Sequence, residues 1–295
     1  MNDQLEELRQ LTAHAENRRT DTGIPRVAMV QGEIPEHQLA AVYDPMVNLI
    51  LRGSKSISIG GKTLHYDPAT YFVMSVDLPA AGRVHADESG APYLAVALSL
   101  DPKVIADLLY DLPDPLRRDQ EHKAFSVAKV TRELLDAWVR MLRLMQRPEE
   151  IAALAPAYER EILYRVLQGP MGWMLHDIVS PDSALARINT AIQRIRQDYA
   201  QPLRIHELAA HSAMSVSAFH RHFKSVTALS PLQYQKQIRL LQARTLLLTA
   251  GRSVTAAAHE VGYESPTQFG REYTREFGVS PGRDTARIVQ QMKTD

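Results

Sequence analysis

Two arginines recur in one setting along this chain. Phe219-His220-Arg221-His222-Phe223, followed by Ser230-Pro231, is matched fifty residues later by Phe269-Gly270-Arg271-Glu272-Tyr273, followed by Ser280-Pro281. On a helix, aromatic side chains four apart share a face and can anchor it to a core, which turns the intervening arginine outward. An outward guanidinium offers paired N–H donors, a geometry that suits the O6/N7 edge of guanine or a phosphate. Ser217, His220 and Arg221 in the first copy, and Thr267, Gln268 and Arg271 in the second, are the candidate base-contacting groups. Lys224 and Arg275, one turn further on, are the candidates for phosphate. Gly270 has no side chain to offer, and Glu272 would repel phosphate if it faced one, so the first copy is expected to carry more direct readout.

The elements that must hold these groups can be traced on either side. Each copy comes after a short apolar segment and a small-residue turn, Leu208-Ala209 to Ser215 and Ala257-Ala258 to Tyr263, which gives two helix-turn-helix units at about 204–227 and 253–277. Between them Tyr234 to Leu248 reads as one continuous helix, roughly 22 Å long at 1.5 Å per residue. With the width of each unit added, such a spacer can set two recognition helices about one DNA turn, ~34 Å, apart. Partition of charge agrees with a nucleic-acid partner. The net charge is zero, but residues 183–295 hold 15 Lys+Arg against 8 Asp+Glu, leaving 19 against 26 in front. Only the tail has the sign that attracts phosphate.

From about Leu185 to Arg287 the chain resembles the DNA-binding domain of the AraC/XylS family of bacterial transcription regulators. The residues that carry the resemblance are Arg239-Leu240, Ala243 and Leu247 between the units, Ala258-His-Glu-Val261-Gly262-Tyr263, Phe269-x-Arg271, and Phe277-Gly278-Val279-Ser280-Pro281. The resemblance implies a seven-helix domain with two major-groove readers, joined to a front domain that binds an effector and dimerises. Family members usually have glycine where Ala213 and Ala228 stand, which alanine can replace if the backbone stays out of the left-handed region. They also usually have an aromatic residue where Asp284 stands, which leaves the end of the last helix open.

Residues near 20 to 105 read as short strands punctuated by Gly53, Gly60-Gly61, Asp67-Pro68 and Gly90-Ala-Pro92, suggesting a barrel or jelly roll. This half, from Thr22 to about Gly169, also resembles the amino-terminal domains of that family through Tyr43-Asp-Pro45, Leu51-Arg52-Gly53, Tyr66-Asp-Pro68, Ser75-Val76-Asp77-Leu78-Pro79, Pro92-Tyr93 and Glu159-Arg-Glu161. The fold class expected for the whole chain is therefore α+β: a cupin-like β-barrel with attached dimerisation helices over residues 1–180, then an all-α double helix-turn-helix domain over 184–295. Val179-Ser-Pro181-Asp-Ser183 is the expected linker. A barrel interior can enclose one small molecule. Tyr43, Arg52, His65, Tyr71, His85 and Tyr93 are the candidate effector-binding groups, each equally open to being a surface or capping residue. Val130, Leu134, Trp138, Met141 and Met145 step by three and four, a stripe that is either domain core or a dimer seam.

Several chemistries are disfavoured. Zero cysteines exclude disulfides, thiolate metal sites and a thiol nucleophile. His37, His65 and His85 are isolated, whereas a cupin-type metal centre needs clustered ligands, so no metal, no cofactor and no enzyme activity are expected. His211, His220, His222 and His259 are read as tuning charge rather than sensing pH. No apolar run approaches a membrane span and the acidic opening has no signal-peptide core, so a cytoplasmic protein is expected. Its expected partners are double-stranded promoter DNA, a small-molecule effector and a second copy of the chain, with RNA polymerase a further possibility. The alternative is a ligand-binding or catalytic barrel carrying a degenerate DNA-binding tail.

Overall fold

A computed structural model describes residues 1–32, 39–68, 70–112 and 123–292, with side chains to residue 290; His37 lies outside the described residues. The chain opens with helix α1 (Asn2–Leu11), then strands β1 (Thr20–Asp21), β2 (Val27–Gln31), β3 (Ala40–Tyr43), β4 (Met46–Arg52), β5 (Ser54–Ile59), β6 (Lys62–Tyr66), β7 (Thr70–Met74), β8 (Leu78–His85) and β9 (Leu94–Ser99). Helix α2 (Pro102–Tyr110), strand β10 (Phe125–Lys129) and helices α3 (Arg132–Arg143), α4 (Ile151–Gln168) and α5 (Gly172–Val179) complete the front half. The strands form two antiparallel sheets, a large one in the order β1-β2-β9-β4-β7-β10 and a small one in the order β3-β8-β5-β6.

The large sheet is the middle of three layers, and its sequence shows it. Val47, Leu49, Leu51, Tyr71 and Val73 face the helices, while Ile50, Phe72, Met74, Tyr93 and Ala95 face the small sheet. A strand buried on both faces has no polar positions to alternate with, so β4 and β7 read as unbroken apolar runs. The small sheet has only one covered face, and β5 accordingly alternates Ser54, Ser56 and Ser58 outward with Lys55, Ile57 and Ile59 inward.

On the helical side, α3 packs against α1 and α4. Leu134, Trp138 and Met141 are at most 1% exposed, Val130 is buried, and Met145 packs half-buried beside them. The stripe is therefore the core of one protomer. Its side chains are already covered by α1 and α4, so the dimer-seam reading of Val130, Leu134, Trp138, Met141 and Met145 is corrected. Helix α4 also begins a turn earlier than Pro156 suggested, with that proline inside it. Near a helix start a missing N–H costs less than in the middle.

Beyond the linker come α6 (Ala184–Gln197), α7 (Ile205–His211), α8 (Val216–Thr227), α9 (Pro231–Thr249), α10 (Val254–Glu260), α11 (Pro266–Phe277) and α12 (Pro281–Met292). Ser183, not Asp182, caps α6, its hydroxyl accepting from the Ala186 amide at 2.9 Å. The core of the first helix-turn-helix unit is continuous with the layer between the two sheets, whereas the second unit has a core of its own around Leu240, Ala257, Phe269 and Tyr273.

Candidate nucleic-acid interface

Local sequence explains each recognition helix. In α8 the Ser215 hydroxyl accepts from the Ala218 amide, and Phe219 and Phe223, their rings 5.6 Å apart, are wholly buried. In α11 Ser265 caps the first turn, Pro266 occupies N1, and Phe269 and Tyr273 are wholly buried. Fixing the inner face by two aromatic anchors fixes the outer one. Ser217, His220, Arg221 and Lys224 on α8, and Thr267, Gln268, Arg271 and Arg275 on α11, are all exposed.

Ion pairing separates these cations from the rest of the domain. Arg187, Arg194, Arg204, Arg252 and Arg287 pair with nearby carboxylates. Arg239 donates to the carbonyls of Tyr199, Ala200, Gln201 and Gly262, which ties the end of α6 to the turn of the second unit. Arg221, Lys224, Arg271 and Arg275 form no ion pair among the described residues, and an unpaired cation is free to take a phosphate. Glu272 does not disturb this arrangement. It accepts from the Tyr263 hydroxyl at 2.8 Å and from Gln268 Nε2 at 3.1 Å, a contact that also occupies one donor of Gln268.

The spacing element is longer than the sequence reading made it. Helix α9 runs 19 residues, about 28 Å at 1.5 Å per residue, because the Ser230 capping box starts it before Tyr234. Both turns hold a surprise in their backbone. Ala213 has φ +50° and Ala228 φ +62°, so both alanines do sit in the left-handed region. Asp284 is likewise resolved: it lies within α12, fully buried, and receives Arg244 at 2.8 Å and the Tyr273 hydroxyl at 2.9 Å. A carboxylate replaces the expected aromatic because Arg244, stacked 4.4 Å from the Phe277 ring, supplies its counter-charge.

The front domain touches the first unit and leaves the reading face clear. The turn between β5 and β6 brings Gly60 so close that an added Cβ would stand 2.6 Å from the Ala228 carbonyl oxygen, at the C-cap of α8. The Ala124 amide donates to the Val226 carbonyl at 3.0 Å. Buried Asp77 receives Arg196 and Gln193 from α6, while its backbone carbonyl accepts from the Tyr234 hydroxyl at 2.8 Å.

The sequence-derived effector candidates do not converge. Tyr43 and Tyr93 lie between the sheets, and burial pushes both phenols up. Tyr71 faces the helices instead, one residue of strand alternation away from Phe72. His65 is exposed, with its ring beside the Ser56 hydroxyl at 2.8 Å, and His85 is exposed at the end of β8. Arg52 sits at the rim near Asp87, whose carboxyl it helps to hold low after the Ser89 hydroxyl and two backbone amides. Tyr71, His65, His85 and Arg52 are thus excluded from one common interior site. Two interior groups were missed, Lys55 and Tyr66. The alternation Lys55-x-Ile57-x-Ile59 carried the signal for the first.

Comparison with known proteins follows the same division. Residues 23–174 match the AraC-type transcriptional regulator N-terminus, and residues 208–287 match a helix-turn-helix domain. The transcriptional activator RhaS of Escherichia fergusonii is 31% identical over 153 residues, covering 49% of this chain and 54% of that one. RhaS of an Escherichia coli O1:K1 strain is 26% identical over 200 residues, covering 62% and 71%. The chain thus spans about half the length of the first of these relatives. Among solved structures, an apo ToxT variant from Vibrio cholerae superposes with a TM-score of 0.57 at 12% identity, over 91% of this chain and 98% of that one. ToxT bound to an unsaturated fatty acid gives 0.55 at 12% identity, over 83% and 87%. These two share the α+β arrangement of antiparallel sheets and a helical domain. A family profile spanning half the chain, joined to a second one over two exposed recognition helices, makes this protein an AraC-type transcriptional regulator.

Proposed function

We propose that the protein binds promoter DNA through α8 and α11 in successive major grooves, and that a small molecule held between the two sheets modulates that binding. The observation that carries the reading is the distribution of free charge. Among the described residues the unpaired cations of the two recognition helices share the outer face with Ser217, His220, Thr267 and Gln268. Arg221 and Arg271 are assigned to base edges, and Lys224 and Arg275 to phosphates.

Coupling is supported by the contacts already described. The β5–β6 turn presses on the C-cap of α8, so a shift of the small sheet would displace the first recognition helix. A homodimer on two half-sites belongs to the same reading, with its seam on a surface other than the α3 stripe.

Gel shifts on the DNA upstream of the protein's own gene test this. Arg221→Ala should cost about 1 to 3 kcal/mol and relax preference at one base pair, while Lys224→Ala should weaken all sequences alike and reduce the salt slope by about one. Binding indifferent to sequence and salt would refute the reading. Light scattering reads the oligomeric state.

A further inference from the structure

The layer between the two sheets holds one ammonium group and, among the described residues, no carboxylate paired with it. Lys55 points inward beside Ile57 and Ile59 and is only 7% exposed. Its Nζ lies 4.8 Å from the centre of the Tyr43 ring. A Cβ placed on Gly82 would stand 3.1 Å from both Lys55 Cε and the Tyr43 hydroxyl, so the missing side chain at 82 makes the room in which the two groups meet. Tyr66 is the direct partner of Lys55 across the β5–β6 ladder, and Tyr93 faces them from the large sheet.

Chemically this is a donor-rich pocket. Burial pushes the Tyr43, Tyr66 and Tyr93 phenols up, the last two also through their neighbouring phenols, so all three keep their O–H at neutral pH. Burial with no opposing carboxylate pushes Lys55 down to about 8, which leaves it charged for most molecules at pH 7. An ammonium out of water needs an anion, and a ring face replaces only part of its hydration. No second cation is buried beside it among the described residues, so a single negative charge is matched and a phosphate dianion is not.

We propose that Lys55 receives the carboxylate of a small organic acid, whose apolar body lies against Tyr43, Leu64, Tyr66 and Tyr93 between the sheets. The inference rests on the reading of the front domain as the effector-binding part. It also supplies a route to the DNA-binding unit, because β5 runs directly from Lys55 to the Gly60 turn that meets Ala228.

Thermal denaturation of the full-length protein with hexanoate, octanoate and benzoate, each beside its neutral amide, tests the assignment. At least one acid should raise Tm by about 3 °C at roughly ten times its Kd. Its amide should shift Tm by less than about 1 °C. The response should vanish in both Lys55→Met and Lys55→Gln, which are expected to fold with a Tm at or above that of the parent because an unpaired buried charge is gone. The proposal is overturned if none of the acids acts, if an amide acts as well as its acid, or if either variant keeps the response. Gel shifts on the same proteins separate the two readings. Intact DNA binding without an acid response removes this site alone, whereas a parent protein that ignores DNA removes the proposed function.

Discussion

Replacing Ala213 by glycine is expected to raise stability, opposite to the effect of the same change on a helix. Ala213 lies in the turn between α7 and α8 with φ +50°, its amide donating to the Ala210 carbonyl at 3.0 Å. For an L-residue the left-handed region costs about 1 to 2 kcal/mol, because Cβ crowds the next carbonyl oxygen. Glycine removes that crowding but loses about 0.5 to 1 kcal/mol more backbone entropy on folding. The difference is a gain of about 0.5 to 1 kcal/mol, and since Ala213 is exposed no packing is lost. Ala210→Gly, three residues upstream on the exposed side of α7, is the matched control and should cost about 1 kcal/mol. Urea denaturation followed by circular dichroism reads both, with unchanged slope m in each case. If Ala213→Gly destabilises as much as Ala210→Gly, the turn is not left-handed, and the mutual angle of α7 and α8 described above is wrong.

Other consequences can be measured in the same way. Trp138→Glu with Met141→Glu should abolish folding rather than release a monomer, since both side chains are wholly buried, and a folded monomer in light scattering would restore the seam reading. Arg244→Ala leaves the Asp284 carboxylate buried without its cation and should lower stability by about 3 to 5 kcal/mol, whereas Arg287→Ala, exposed, should cost under about 1 kcal/mol. Lys55 makes stability depend on pH with a definite sign. Between about 8 and 10 the native state has lost a proton that the unfolded chain still holds, so stability should rise with pH. Above about 10 it should fall as phenols ionise in the unfolded chain while Tyr43, Tyr66 and Tyr93 stay protonated. Equilibrium denaturation across that range should show the rise in the parent and not in Lys55→Met.

The legibility of this chain follows the range of the interactions involved. In the tail, Phe219, Phe223, Phe269 and Tyr273 set the inner faces of two helices through a spacing of four, and the placement of Arg221 and Arg271 follows from helical geometry alone. Ser183, Ser215, Ser230 and Ser265 announce helix starts in the same local way. In the front half the governing contacts lie between sheets and helices distant in sequence, and the pattern is ambiguous there. Tyr71 and Phe72 are both buried, so alternation cannot say which one faces the small sheet. The α3 stripe likewise proves an apolar face without naming what covers it.

Residue periodicity by itself therefore determined two recognition helices, their outward side chains and the sign of the charge beside them, because each depends on neighbours within one or two turns. Only the tertiary structure decided the rest. It showed that α1 and α4 bury Trp138, that Arg244 rescues Asp284, that Lys55 stands alone among three phenols, and that Gly60 meets Ala228. Each of these joins residues far apart along the chain, and the energy of a buried charge or a covered face depends on the partner that folding brings to it rather than on the sequence around it.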